Sequence, residues 1–192
     1  MADARPWTGA RFLAADDERA LVRAARNDPD AFGELCRRYA PDLYRYLRLR
    51  VGNDEDAADL TQQVFVRALA ALPRYRERGA PFGAWLFRIA RNLVTDAYRR
   101  QRPAVSWDGM AEALHCPEAD NPEIAALRRE EASRLQTAVR HLRDDERELI
   151  ALRFVAGLTL AEIAAVIGTS RSSVDRRIAR ILQSLKEYYH DH

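Results

Sequence analysis

The sequence predicts an all-α protein: two small helical domains joined by an acidic linker, the C-terminal one a helix-turn-helix domain. Three observations carry this. Apolar residues recur at helical spacing through residues 16–102 and again beyond residue 123. No stretch sustains the period-2 alternation of a half-buried strand. Between the two blocks, residues 103–122 hold four acids (Asp108, Glu112, Glu118, Asp120) and no Lys or Arg. That strip starts at Pro103 and ends at Asn121-Pro122, as a linker does. A chain of 192 residues suits one or two small domains, and 47 % hydrophobic residues suffice for a core.

Residues 1–15 read as a flexible lead. The first helix is expected over Asp16–Arg26, with Ala20, Leu21, Ala24 and Ala25 on its apolar side. The second runs Asp30–Val51 and carries Phe32, Leu35, Cys36, Tyr39, Leu43, Tyr46, Leu47 and Leu49. The third starts at Asp54, where three acids suit the positive end of the helix dipole, and Pro73 stops it after Leu72. Gly79-Ala80-Pro81 breaks the chain, and the last helix of the block runs Pro81–Arg102. About four more helices are expected from Glu123 onward.

The net charge of +2 excludes a uniformly basic coat, but the charge is unevenly placed. Residues 67–102 hold nine Arg against only Glu77 and Asp96. Such a concentration calls for an anionic partner. In the helix of this segment, Trp85, Leu86, Ile89, Leu93 and Ala97 make an apolar arc. Arg88, Arg91, Thr95 and Arg99 line the adjacent stripe, with Asn92 on its border, and Arg100 and Arg102 extend the charge. The loop before it, RYRERGAPF, contributes Arg74, Tyr75, Arg76, Arg78 and Phe82. Arginines supply phosphate contacts and aromatics supply stacking faces for unpaired bases. Tyr75, Phe82 and Trp85 are alternatively core residues, and for Trp85 the core reading is the better one.

Residues 159–185 have the pattern of a helix-turn-helix. Thr159 and Glu162 stand at capping-box spacing, Gly168 suits the turn, and Thr169 or Ser170 can cap the next helix. Val174, Ile178, Ile181, Leu182 and Leu185 form one apolar stripe. Opposite it project Ser172, Arg176, Ala179, Arg180 and Gln183, with Ser173 and Arg177 at its edge and Arg171 at the helix start. A helix presenting Arg, Ser and Gln is equipped to read base edges and phosphates in a major groove. The third helix is different: Asp59, Gln62, Gln63 and Arg67 are set among Leu60, Val64, Phe65, Ala68, Leu69 and Leu72. Its acidic start suits a basic protein surface rather than DNA.

No nucleophile–base pair, metal-ligand set or phosphate-binding glycine loop is found, so neither an enzyme nor a cofactor, metal or small-molecule substrate is expected. Cys36 and Cys116 belong to no CxxC pair, and His115, His141, His190 and His192 are scattered. No apolar run reaches signal-peptide or membrane-spanning length, so a cytoplasmic protein without membrane insertion is expected.

Together these segments resemble a bacterial RNA polymerase sigma factor of the extracytoplasmic-function (ECF) group. DLTQQVFVRALAAL resembles the polymerase-binding helix of that family's second conserved region. FGAWLFRIARNLVTDAYRRQR resembles its −10 recognition helix, and ELIALRFVAGLTLAEIAAVIGTSRSSVDRRIARILQSL its fourth region, which reads the −35 element. The resemblance covers about residues 16–102 and 123–189, in family order. It departs from the family at Gln63-Val64, where Glu-Thr is frequent, and at Asp175, where a basic or small residue is common.

The resemblance implies roles. Residues 16–102 would be the region 2 domain and residues 123–192 the region 4 domain. Asp59, Gln62 and Phe65 would dock on the β′ clamp of core RNA polymerase, with Phe65 alternatively a core residue, and the β subunit would be a further contact. Arg74–Phe82 would hold a flipped base of the −10 element. Arg88, Arg91, Asn92, Asp96 and Arg99 would face promoter DNA. Arg171, Ser172, Ser173, Arg176, Arg177 and Arg180 would lie in or beside the −35 major groove. The linker is either a plain tether or an occupant of the polymerase's channels. Family members usually have an anti-sigma partner, and the resemblance allows one here. On the residues alone, a dimeric one-component regulator and a helical adaptor for acidic proteins remain alternatives.

Overall fold

Local chemistry explains where several of the helices begin. The computed structural model describes residues 15–76, 81–101 and 133–191, and every regular element among them is helical. The lead, residues 77–80 and the acidic linker lie outside the described residues. Helix α1 spans Ala15–Ala24. It ends before Arg26, the expected limit, because the N–H groups of Arg26 and Asn27 turn back to the carbonyls of Arg23 and Ala24. That tight turn delivers Asp28, whose carboxylate accepts from the Asp30 N–H at 2.9 Å and caps α2, Pro29–Val51. Pro29 at the first helical position costs no internal hydrogen bond. The helix continues through Pro41, which faces solvent. Gly52 closes it with a φ of 81°, a conformation open to glycine at no steric cost.

Asn53 accepts from the Asp56 N–H at 2.8 Å and starts α3, Asp54–Ala71. A 3₁₀ turn, Leu72–Arg74, follows at Pro73, and α4 spans Phe82–Gln101. In the second unit, residues 133–140 are helical (α5). Helix α6, Asp144–Ile150, runs on into a π-helical turn, Ala151–Val155. Helices α7, Leu160–Ile167, and α8, Arg171–Asp191, complete the chain.

The first unit is built around α2, which packs on α1, α3 and α4. Leu35, Leu43, Tyr46 and Leu47 are fully buried along it. Phe87 of α4 meets Tyr46 edge-on, with ring centroids 5.5 Å apart and planes at 73°. The buried face of α4 is wider than the sequence arc: Phe87, Ala90 and Val94 join Leu86 and Leu93 in the core. Phe87 is buried against Tyr46 of α2, and α7 of the other unit packs on α4 as well. The π turn likewise packs on α2, so one apolar cluster runs through both units. The two helical blocks that the sequence separates by a linker are therefore folded against each other.

Candidate nucleic-acid interface

The helix-turn-helix is assembled by two caps and a turn. The Thr159 N–H donates to Glu162 at 2.7 Å, and the Glu162 N–H donates to the Thr159 hydroxyl at 3.3 Å. Gly168, at φ 74°, reverses the chain after α7. Ser170 then caps α8 by accepting from the Ser173 N–H at 3.2 Å. Val174, Ile178 and Ile181 are buried and anchor α8, and Leu185 packs at the margin. Leu182 departs from the expected stripe and is exposed. Arg171, Ser172, Arg176 and Arg180 are exposed, while Ser173 and Arg177 are half-buried at the edge of that face. Arg177 pairs with Asp145 of α6 at 2.7 Å, which holds it against its own unit.

The first unit presents its arginines differently. Arg74 and Arg76 leave the 3₁₀ turn into solvent, and Arg88 and Asn92 are exposed on α4. Arg74, Arg76 and Arg88 converge on a cleft of about 550 Å³. Ala71, Tyr75, Ala84 and Trp85 also line it, together with Ala165 of α7. Asp96 is half-buried, and the Thr95 hydroxyl donates to the Arg91 carbonyl at 2.9 Å. Arg99 stands in the last turns of α4, but its side chain is outside the described residues, as is Arg78.

Tyr75 and Phe82 correct an expectation. Both are buried, so neither offers an open face to a base. Tyr75 packs on Trp85 with centroids 4.7 Å apart and on Phe82 at 5.6 Å; Phe82 also meets Trp85 at 5.3 Å and Tyr39 at 5.8 Å. The 3₁₀ turn folds Tyr75 back onto the core, where Arg26 donates to its carbonyl at 2.9 Å. Trp85, read from sequence as the core residue, keeps partial exposure in the cleft. The reason is packing: three aromatics close in space bury one another's faces, and the one at the margin keeps some surface.

On α3, Asp59 and Gln62 are exposed, and Phe65 is half-buried against the core. Sequence reasoning missed how apolar this surface is: Val66 is 67 % exposed and Leu69 51 %. The signal lay in their offset from the buried Leu60, Val64 and Ala68. The acids at the helix start serve partly at home. Asp54 accepts from the Tyr44 hydroxyl at 2.8 Å and from Arg48 at 2.6 Å. These contacts hold its carboxyl below the usual carboxylate range.

A buried polar cluster was invisible in the sequence. The Tyr46 hydroxyl donates to Glu148 at 2.6 Å across 102 positions of chain, and Arg50 pairs with the same carboxylate. Among the described residues, no group of three or more His, Cys, Asp or Glu is placed to hold a metal ion. None of the described helices is long and apolar enough to cross a membrane.

Comparison with known proteins agrees with this geometry. Residues 35–104 match the model of Sigma-70 region 2, and residues 132–185 that of Sigma-70, region 4. The chain is 36 % identical over 181 residues to the ECF RNA polymerase sigma factor BldN of Streptomyces coelicolor, covering 91 % of this chain and 68 % of BldN. It is 36 % identical over 175 residues to the ECF RNA polymerase sigma factor SigD of Mycobacterium tuberculosis, covering 87 % and 81 %. Among solved structures, CnrH in complex with the cytosolic domain of CnrY superposes with a TM-score of 0.64 at 30 % identity, over 93 % of this chain and 99 % of CnrH. The exposed arginine face on α8, the three-arginine cleft beside α4 and these matches together place the chain in the family of ECF RNA polymerase sigma factors.

Proposed function

We propose that the two units divide promoter recognition between them and that α3 docks the chain on core RNA polymerase. The sigma-factor role is that of the family; catalysis belongs to the polymerase. The observation that carries the division is the cleft of Arg74, Arg76 and Arg88 beside Trp85, separate from the exposed face of α8. The α8 face, with Ser172, Arg176 and Arg180, suits the major groove of duplex −35 DNA. The α4 cleft suits unpaired bases of the −10 element: guanidiniums for the backbone, a partly exposed indole for stacking. A surface that binds unpaired bases better than paired ones shifts the equilibrium toward the melted promoter without ATP. Asp59 and Gln62, beside exposed Val66 and Leu69, suit the clamp of the β′ subunit, and the fourth region suits the β subunit. CnrH is solved in complex with the cytosolic domain of CnrY, and a polypeptide partner fits the same family reading of this chain.

Run-off transcription with core polymerase tests this directly. Arg88→Ala with Asn92→Ala should slow opening of linear promoters, and a pre-melted bubble should partly rescue it. Permanganate footprinting of thymines near the start site follows the opening. Wild-type opening by the double variant, or no rescue by the bubble, would sink the role assigned to α4. Arg176→Ala should weaken promoters with an intact −35 element by roughly 1–3 kcal/mol and relax preference at one or two bases. Arg176 is exposed, away from buried Val174 and Ile178, so the melting temperature should not move. Unaltered promoter preference in that variant counts against the α8 face as the reader.

A further inference from the structure

Asp175 puts a negative charge on the helix that faces DNA. It stands in the second turn of α8, beside Arg176, and its side chain is exposed. The other acids of the second unit whose side chains are described are engaged within the chain. Asp144, Asp145 and Glu146 pair with arginines, and Glu148 accepts from Tyr46. Glu162 caps α7, and Glu187 accepts from Gln183. Among the described residues, no hydrogen bond or ion pair engages Asp175. Nor does helix stability account for it. An acid favours a helix through the dipole only in the first turn, and the first turn of α8 holds none. The cap is Ser170.

The position of Asp175 on the helix decides what it can reach. One edge of α8 is turned toward its own unit: Ser173 is half-buried, and Arg177 pairs with Asp145 at 2.7 Å. Asp175 lies on the other edge, three residues on from Ser172 and four before exposed Ala179, so it adjoins the open face. In a helix-turn-helix the N-terminal part of the second helix meets base edges. A carboxylate there is repelled by the phosphates and can only accept. In the major groove the donors are the N4 amino group of cytosine and the N6 amino group of adenine. Beside the adenine amino group lies N7, an acceptor that repels the second carboxylate oxygen. Beside the cytosine amino group lies C5–H, which has no lone pair. Guanine and thymine turn acceptors toward the same point, so an anion there rejects them.

We propose that Asp175 is a specificity-determining residue of α8: its carboxylate accepts from the N4 amino group of one cytosine in the −35 element and excludes guanine and thymine at that position. The neighbouring Arg176 offsets the repulsion from the phosphates. This rests on the reading of α8 as the helix in the −35 major groove.

The test uses holoenzyme assembled from core polymerase and the full chain. A promoter taken from a genomic library by run-off transcription has its −35 region randomised, and the transcribed sequences are counted. With the wild-type chain, one position should favour cytosine over each other base by at least about fivefold. Asp175→Ala should level that position and leave the remaining preferences in place. Asp175→Asn should admit adenine there, because an amide donates to N7 while accepting from N6. Both variants should melt at the wild-type temperature, since Asp175 is exposed beside the buried Val174 and Ile178 anchors. An Asp175→Ala profile identical to wild type overturns the proposal, and so does a uniform gain on every sequence, which would make Asp175 a general repellent. An Asp175→Asn chain that rejects adenine as strongly as wild type overturns it too. A wild-type profile with clear preferences but none for cytosine refutes Asp175 as the reader. A wild-type profile that is flat at every −35 position is a different failure, that of α8 as the promoter-reading helix.

Discussion

Phe87→Ala is expected to destabilise the first unit by about 3–5 kcal/mol, the usual cost of emptying a fully packed aromatic site. Phe87 is fully buried, and its ring meets Tyr46 edge-on at 5.5 Å. Truncation would leave a cavity beside Tyr46, between α2 and α4, which cannot collapse without moving a helix. Small domains have only about 5–15 kcal/mol in total, so this one change removes a large share. Urea denaturation followed by circular dichroism measures it. A loss under about 1 kcal/mol would mean that α4 is not packed on α2 as described. Phe87→Leu should recover most of the loss, because it refills most of the volume.

Asp59→Arg combined with Gln62→Ala should abolish most binding to core polymerase while leaving the fold untouched. Both residues are exposed on α3, so neither change opens the core. On the proposed docking of α3 against a basic surface, reversing a charge would cost several kcal/mol, more than about a hundredfold in affinity. Run-off transcription should fall in parallel, and the thermal melt should stay at the wild-type position. Val66→Asp should add to the loss, because Val66 is the most exposed large apolar side chain among the described residues. A well-folded double variant that still assembles with core enzyme at wild-type yield would show that another surface docks. The Arg176→Ala experiment then separates the two ends of the chain, since its loss is confined to promoter choice.

What could be read in advance follows from the range of the interactions involved. Helix existence, caps and the helix-turn-helix are local. Asp28, Asn53, Thr159 with Glu162, and Ser170 act within three residues of their partners. Gly52 and Gly168 mark left-handed ends that the chain itself dictates. The open face of α8 was also legible, because an exposed face needs only the 3.6-residue period and one buried stripe. The family resemblance rested on those same local motifs.

Exposure at contacts between distant segments was not legible, because it depends on which surfaces meet. Tyr75 and Phe82 looked available for stacking beside their arginines; the 3₁₀ turn and α4 bring them onto Trp85 and Tyr39, where they bury one another. The apolar arc on α4 predicted one buried side but not that α7 of the other unit packs on the same helix. Val66 and Leu69 looked like ordinary helix residues until packing left them in solvent. Glu148 gave no sign at all, because nothing near it in sequence marks Tyr46 or Arg50 as partners. The sequence by itself determined the main helices, the caps of the helix-turn-helix and two helix chemistries, one arginine-faced and one with an acidic start. Only the tertiary structure decided that the units close on each other, since that closure is settled by which buried surfaces complement across about a hundred residues of chain, and local periodicity carries no record of it.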